Sequence, residues 1–397
     1  MSEGDHNSHP FLARIRQELD KLPLTDVEKA KVTPILSRYI SFLGTQQAHA
    51  FVTRLTPDSP FFDFAAKTQA VVARFQNDGL TSRAYLRAAV KQPSLFYQSP
   101  LSTIAKVEEV TRHFHDHGLT TRAYLRAAVR QPTLFYQSPA TMITNVEAVA
   151  AYFRDHDVTP DAYLRAAVKQ PTLFSHKAPT IIANIENVTA YFRDHGLTLD
   201  AYLRAAIRRP QLFVRSPASI ASNVEKVAAH FAPHGLTTRA YLHAAIKQPT
   251  ILCQSPATII ANVETVAAYF CDHGLTTPAY LGAAIRQPTL FYQAPSTIIR
   301  HVKFIGRLHR QGFVTFPGEA DASSEYPLKP MFDFLVMRPL VLTLADDNYA
   351  LREDYARLSG KQFRGTSLLT VTRHEIEREF AAIQHRGPQT PKSAPRA

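Results

Sequence analysis

The chain has 397 residues, 45% of them hydrophobic, and its 45 Lys and Arg outnumber 33 Asp and Glu, which gives a net charge of +12. That hydrophobic fraction excludes a globally disordered chain, and no apolar run approaches the ~20 residues that a membrane-spanning helix requires. The two cysteines form no CxxC pair, so we expect no metal and no cofactor, whereas the excess positive charge favours an acidic partner, most often nucleic acid.

The N-terminal residues 1–58 show helical periodicity in two places, around residues 11–15 and 32–42. This pattern predicts either a helical cap or a separate small helical domain. The opening residues lack the basic and then apolar order of a secretory signal and include several acids, which a mitochondrial transit peptide avoids. We therefore expect a cytoplasmic protein.

A 39-residue unit repeats through the middle of the chain. Six full copies cover roughly residues 80–312, and a degenerate half copy ending at Gly79 extends the predicted array to 59–312. A further degenerate copy and cap is predicted over 313–382, with a 12-residue insertion after Phe316, and a disordered tail over 383–397. The unit is marked by its tyrosine and proline: Tyr85, Tyr124, Tyr163, Tyr202, Tyr241 and Tyr280, with Pro93, Pro132, Pro171, Pro210, Pro249 and Pro288.

Each unit is predicted to form two helices. The first is helix A. A threonine caps its start, and the recurrent proline ends it. A Ser-Pro pair starts the second, helix B, and a glycine ends it. One helix pair cannot bury its apolar stripe alone, so we predict an all-α fold: an α-solenoid of six 39-residue two-helix repeats with degenerate capping repeats at both ends. The tyrosines of helix A are predicted to be core, and the periodic asparagines Asn145, Asn184, Asn223 and Asn262 to hydrogen-bond between units.

Basic residues concentrate on helix A. Every copy has Lys or Arg two residues before the recurrent proline. The first four copies also have Arg one turn earlier, and the last two have His243 and Gly282 there. A spacing of i, i+4 places each pair on one helix face. Arg83, Arg122 and Arg239 extend that face. The predicted nucleic-acid-binding residues are Arg87, Lys91, Arg126, Arg130, Arg165, Lys169, Arg204, Arg208, Lys247 and Arg286.

Two other interpretations of these cations stay open. They are solvated side chains that keep the protein soluble, or they form salt bridges to the periodic glutamates of helix B. Against both, every helix A keeps a cation, so that the fields of the cations add along the array and suit a polyanion with regularly spaced phosphates. The glutamates are Glu108, Glu147, Glu186, Glu225 and Glu264.

Two further periodic features have a functional and a structural interpretation. The residue pairs before the serine position vary between copies, as base-reading positions or unconstrained loops do. The histidines before the glycine are too far apart to share a metal, so we expect them to offset the dipole of helix B. The pairs are Tyr97-Gln98, Tyr136-Gln137, Ser175-His176, Val214-Arg215, Cys253-Gln254 and Tyr292-Gln293; the histidines are His117, His156, His195, His234 and His273.

No phosphate-binding glycine loop, metalloprotease motif or nucleophile elbow is present in the sequence, and we expect no catalytic residues and no enzyme activity.

The unit resembles the repeat of the mitochondrial transcription termination factor family. The shared marks are the Pro-x-Leu-Phe turn after a short helix and the Gly-Leu-Thr junction, and the closing Met337-Arg-Pro339-Leu-Val-Leu is similar to that family's last repeat. Over about residues 60–360 the resemblance implies a superhelical all-α fold that binds double-stranded DNA or RNA through basic residues of its groove. The units here are longer and more alike than is usual in that family.

Residues 270–276, Phe-Cys-Asp-His-Gly-Leu-Thr, also resemble the junction of transcription activator-like effector repeats. In those repeats a pair of residues between the helices reads bases, and here the variable pairs would correspond to it. A proline-led turn occupies the place of the expected glycine-rich loop, so this likeness is the weaker of the two.

These observations predict a monomeric, non-enzymatic protein that grips duplex DNA, or RNA, along helix A and regulates transcription. Two alternatives stay open: a protein-interaction scaffold that uses the same concave surface, and a secreted effector that acts in a host. The scaffold predicts negligible dependence of binding on salt, whereas a nucleic-acid binder predicts a steep one.

Overall fold

The structure is a computed structural model that describes residues 10–43, 63–316, 329–359 and 363–385. The chain forms two compact units, one of Met1–Asn187 with Ala206–Arg215 and one of Val188–Ala205 with Ser216–Ala397. In the described ranges there are nineteen α-helices and two strands of two residues each. The predicted class is confirmed: the fold is all-α, with helices packed in successive pairs as in an α-solenoid.

The six copies of the sequence unit each contain the two predicted helices. The helices A are α4 (Ser82–Lys91), α6 (Thr121–Arg130), α8 (Pro160–Lys169), α10 (Leu199–Arg208), α12 (Thr238–Lys247) and α14 (Thr277–Arg286). The helices B are α5 (Pro100–His113), α7 (Pro139–Tyr152), α9 (Ala178–Tyr191), α11 (Pro217–His230), α13 (Pro256–Tyr269) and α15 (Pro295–Arg310). The periodicity therefore places each helix correctly, at nearly constant length.

Both connections within the array are short 3₁₀-helices. After helix A they are Pro93–Tyr97, Pro132–Phe135, Pro171–Phe174, Pro210–Phe213, Pro249–Cys253 and Pro288–Phe291. After helix B they are His115–His117, Arg154–His156, Arg193–His195, Ala232–His234 and Cys271–His273. Tight i to i+3 turns of this kind are common at the ends of α-helices and as connectors.

The capping predictions are confirmed for helix A, whereas the serines of helix B stand at the predicted N-cap position but mostly lack the side-chain bond. All six threonine hydroxyls accept a hydrogen bond from the backbone nitrogen three residues later, at 3.1–3.3 Å. Of the four serines in a Ser-Pro pair, Ser216 makes the corresponding bond, at 3.2 Å, and Ser99, Ser138 and Ser255 do not. All four serines are followed by proline at the first helical position, where the missing N–H is one that an α-helix leaves unpaired anyway.

One unit ends helix B without glycine. Asp157 takes a left-handed conformation, with φ of 62°, at the position that glycine holds in the neighbouring units. Aspartate is one of the few residues that tolerate this conformation, so the 3₁₀ turn is kept.

The core is built from the inner faces of both helices. The six tyrosines of helix A are at most 3% exposed, as predicted, and burial raises the pKa of Tyr85 to about 12. Each tyrosine for which a ring contact is seen meets the phenylalanine of the next repeat edge to face, for example Tyr124 and Phe174 at 5.5 Å between ring centres. Such pairs contribute roughly 0.5–1.5 kcal/mol beyond area burial. The helix B stripe of Ile259, Val263 and Val266 is fully buried.

Polar side chains on helix B join consecutive repeats through backbone groups. The amide oxygen of Asn145 accepts a bond from the Ala178 nitrogen at 3.2 Å, and Asn223 donates to the Gln254 carbonyl at 3.3 Å. These bonds confirm the predicted role between units for two of the four periodic asparagines.

The N-terminal segment packs against the start of the array. It forms α1 (Pro10–Asp20) and α2 (Asp26–Leu43), and α3 (Phe64–Phe75) is the predicted half copy, followed by the 3₁₀-helix Gln76–Asp78. Gln69 donates to the Lys21 carbonyl at 2.6 Å, and Arg83 pairs with Glu28 at 3.1 Å. These contacts attach α1 and α2 to the start of the array.

The C-terminal part contains a degenerate helix pair and a short closing segment. Helices α16 (Lys329–Met337) and α17 (Asp346–Ser359) flank the proline-led 3₁₀-helix Pro339–Thr343. Strands β1 (Val314–Thr315) and β2 (Phe363–Arg364) pair in parallel, before α18 (Gly365–Thr370) and α19 (Arg373–His385). The predicted insertion falls on 317–328, outside the described residues. Residues 383–385 of the predicted disordered tail are helical, and 386–397 also lie outside.

Candidate nucleic-acid interface

The basic residues of helix A lie on its outer side. In α6, Tyr124, Leu125, Ala127 and Ala128 are buried and fix the orientation of the helix, which leaves Arg126 and Arg130 exposed. All ten predicted binding residues, here called the basic row, are exposed. The first unit holds Arg87, Lys91, Arg126, Arg130, Arg165, Lys169 and Arg208; the second holds Arg204, Lys247 and Arg286.

The helix B glutamates are held by the preceding helix B, not by helix A. Each accepts a hydrogen bond from the residue 34 positions earlier, for example His113 to Glu147 at 2.8 Å and His230 to Glu264 at 2.7 Å. We call these pairs the helix B ladder: Arg74–Glu108, His113–Glu147, Tyr152–Glu186, Tyr191–Glu225 and His230–Glu264. The bonds seen for these carboxylates thus go to helix B, whereas the salt-bridge alternative requires bonds to the basic row.

Three of the four arginines in the middle of helix A have no structural partner in the described part of the chain. Among the residues that the structure describes, the side chains of Arg87, Arg126 and Arg165 make no hydrogen bond or ion pair, and neither do Lys91 and Lys169. A charged side chain that stabilises the fold is normally paired with an opposite charge or hydrogen-bonded to a polar group. Here the charges of Arg87, Arg126 and Arg165 are exposed to solvent.

Two of the cations in the last turn of helix A, Arg130 and Arg286, have a structural explanation. Arg130 donates to the carbonyls of Val168 and Lys169, the latter at 3.3 Å, and Arg286 donates to the Val336 carbonyl at 2.6 Å. Each thereby satisfies the end of the next helix A or its degenerate equivalent. A cation at this end of a helix also offsets the helix dipole, typically by about 0.3–1 kcal/mol. Conservation of charge at this position across the units therefore does not by itself indicate a ligand.

The residues that extend the row toward the start of helix A are also engaged. Arg83 forms the ion pair with Glu28 described above, and Arg122 donates to the Asn77 carbonyl at 3.4 Å. The guanidinium of Arg239 packs against Gly196. The sequence reasoning missed these contacts because each one joins residues at least 43 positions apart, in different repeats.

The variable pairs lie between repeats and take part in their packing. Ser175 donates to the side chain of Gln137 at 2.6 Å, and Gln248 donates to the Tyr292 hydroxyl at 2.7 Å. The pairs are half-buried except for Tyr97, which is 36% exposed. The variation between copies thus coincides with different local hydrogen bonds, and a base-reading role stays an untested prediction.

The periodic histidines occupy the 3₁₀ turn after helix B. His117 bonds to Asp161 of the next repeat at 2.9 Å, and its ring lies beside Phe114. No set of three or more His, Cys, Asp or Glu side chains in the described ranges is arranged to hold a metal ion. Likewise, none of the described helices is both long enough and apolar enough to cross a membrane.

A scan against models of protein families and a search of curated proteins found no match to this chain.

Proposed function

We propose that the protein is a non-enzymatic nucleic-acid-binding repeat protein that grips the phosphate backbone of duplex DNA through the basic row of helix A. The observation that supports this most directly is the set of exposed mid-helix arginines, Arg87, Arg126 and Arg165, whose charge stabilises no group in the described parts of the chain. Lys91 and Lys169 add charge on the same helix faces. A role in transcription and a relationship to the mitochondrial transcription termination factor repeat belong to this proposal.

The charge arrangement favours a polyanion over a small anionic ligand. The cations are carried by consecutive helices, two on each helix A of the first three repeats, so they are distributed over several packed elements. A small anion would need donors converging on one point, whereas a nucleic-acid backbone presents charges at regular intervals. Contacts of this kind position the strand without reading its sequence.

The test is a salt titration of binding to a random-sequence 30-base-pair DNA duplex, followed by fluorescence anisotropy. If about six phosphates are neutralised, the slope of log affinity against log salt is about −5. The triple variant R87E/R126E/R165E removes the three arginines that have no structural partner. We expect it to weaken binding and to reduce the magnitude of the slope by about 3. Parallel titrations with duplex RNA compare the two nucleic acids.

The matched control is R112E/R154E/R193E. These three arginines are exposed and lie at or just after the end of helix B, outside the basic row, and their reversal changes the net charge equally. We expect the control variant to bind far better than the helix A variant. Equal loss in both variants would mean that only net charge matters, and binding that is absent or independent of salt would favour the protein-interaction scaffold.

A further inference from the structure

The outer side of helix B carries exposed tyrosines in an ordered setting. Tyr152 is 52% exposed and Tyr191 is 53% exposed, although each packs its ring edge to face on the following phenylalanine, at 5.0 and 4.9 Å between ring centres. Each hydroxyl also donates to a ladder glutamate, Glu186 or Glu225. Half-exposed aromatic rings that are already held in place lose little entropy on binding, which is typical of interface anchors.

Two positions of the same series already hold a cation from the chain itself. At the first rung, Arg74 forms an ion pair with Glu108 and also lies over the ring of Phe75, at 5.5 Å from its centre. At the sixth position, Lys303 stands where the other repeats have glutamate, and its ammonium lies 5.1 Å from the centre of the Tyr269 ring. In the Tyr269–Lys303 pair the ladder offset of 34 positions thus brings a cation to an aromatic face, and in Arg74 one cation meets both a glutamate and a ring.

The two Tyr–Glu rungs offer the same groups to a cation from outside. In the Tyr191–Glu225 rung the tyrosine bonds to Oε1 of the glutamate, and Oε2 has no hydrogen bond among the described residues. The exposed neighbours Ala151, Ala183 and Ala190 are small, so a second chain has room to approach the ring and the carboxylate.

We propose that the Tyr152–Glu186 and Tyr191–Glu225 rungs bind arginine side chains of a protein partner, one rung in each unit. Arginine suits the site because a planar guanidinium both stacks on an aromatic face and donates two parallel hydrogen bonds to a carboxylate. The complementary charge excludes a nucleic acid as occupant, since its phosphates are repelled by the glutamates. This surface is on helix B, so the proposal is independent of the basic row.

The experiment measures binding of a fluorescent hexa-arginine peptide to the full chain at about 0.1 M salt, where screening still permits short-range pairs. Y152A/Y191A and E186Q/E225Q remove the two groups of each rung separately. We expect each variant to bind about tenfold more weakly, which corresponds to the loss of about 1.4 kcal/mol. All four positions are exposed, and circular dichroism will verify that the variants keep the helical fold.

Two controls make the result specific. D155N/D194N removes two exposed carboxylates from the 3₁₀ turns near the rungs, and Y97A removes an exposed tyrosine outside the ladder. We expect both to bind the peptide within twofold of the wild type. Equal weakening by D155N/D194N, equally tight binding of a hexa-lysine peptide, or no binding of hexa-arginine would overturn the proposal.

Discussion

Helix A and helix B of each repeat have a similar buried stripe but use their exposed charges differently. The glutamates of helix B are bound across the repeat boundary by the ladder, with Glu147 held by His113 at 2.8 Å. Arg87, Arg126 and Arg165, in the middle of helix A, make no such bond within the described residues. Charge periodicity alone therefore does not show whether a charged residue serves stacking or ligand binding. The partner of each charge does.

The exposed cations within one helix A also differ in their contacts. Arg126 and Arg130 are one turn apart on the same exposed face, yet only Arg130 donates its guanidinium to the end of the next helix A. Residues that share a face and a charge can therefore differ in what they contribute, one to stacking and one to the proposed ligand.

The largest expected effect is on the core that positions both helices. Tyr124 is fully buried, donates to the Leu134 carbonyl at 3.0 Å and packs on Phe174, so Tyr124→Ala should cost about 3–5 kcal/mol of unfolding free energy. Tyr124→Phe, which keeps the ring, should cost about 1 kcal/mol. Urea unfolding followed by circular dichroism measures both. Equal costs would show that the hydrogen bond, and not ring packing, holds the repeats together.

A smaller effect should separate the two arginines of α6. Arg130→Ala removes donors to two helix-end carbonyls, and we expect a loss of about 0.5–1.5 kcal/mol in unfolding free energy. Arg126→Ala should change stability by less than about 0.5 kcal/mol, because surface substitutions that break no contact usually do so. Affinity for duplex DNA should fall in both. A larger loss of unfolding free energy in Arg126→Ala than in Arg130→Ala would contradict a stacking role for Arg130 alone.

The smallest effect is a titration shift at the ladder. The hydrogen bond to Glu186 raises the pKa of Tyr152, because the ionised phenolate would lose that bond and face a carboxylate. Glu186→Gln should lower this pKa toward its ordinary value, since the charge of the neighbour is removed. NMR titration of the tyrosine ring carbons at alkaline pH measures the change, with Glu225→Gln as the control that should move Tyr191 alone.

Much of the fold follows from the 39-residue period. The threonine caps, the proline that ends helix A and the buried tyrosines are local features, so each repeat confirms the same prediction. Ser216 alone among the serines of the Ser-Pro pairs forms the side-chain bond. The N–H groups in the first turn of a helix can also be satisfied in other ways, so the residue type at the cap does not fix this bond.

The candidate site was less accessible to sequence reasoning. The exposure of all ten basic residues follows from helical spacing against the buried Tyr-Leu and Ala-Ala positions. The partners of the glutamates do not follow from helical spacing. The 34-residue separation of His113 and Glu147 depends on how neighbouring helices B are offset along their axes. A regular charge in the sequence predicts a regular surface, but its partner is set by tertiary packing.

The fixed register of the ladder has a consequence for how such a chain can vary in length. His113 bonds to Glu147, and after excision of residues 119–157 it would meet Glu186, another glutamate, at the same offset of 34 positions. The ladder bond between neighbouring copies is therefore re-formed by an equivalent glutamate when one whole copy is removed or inserted. Recombination between copies thus preserves the ladder, and the extent of the charged surface can change by whole copies.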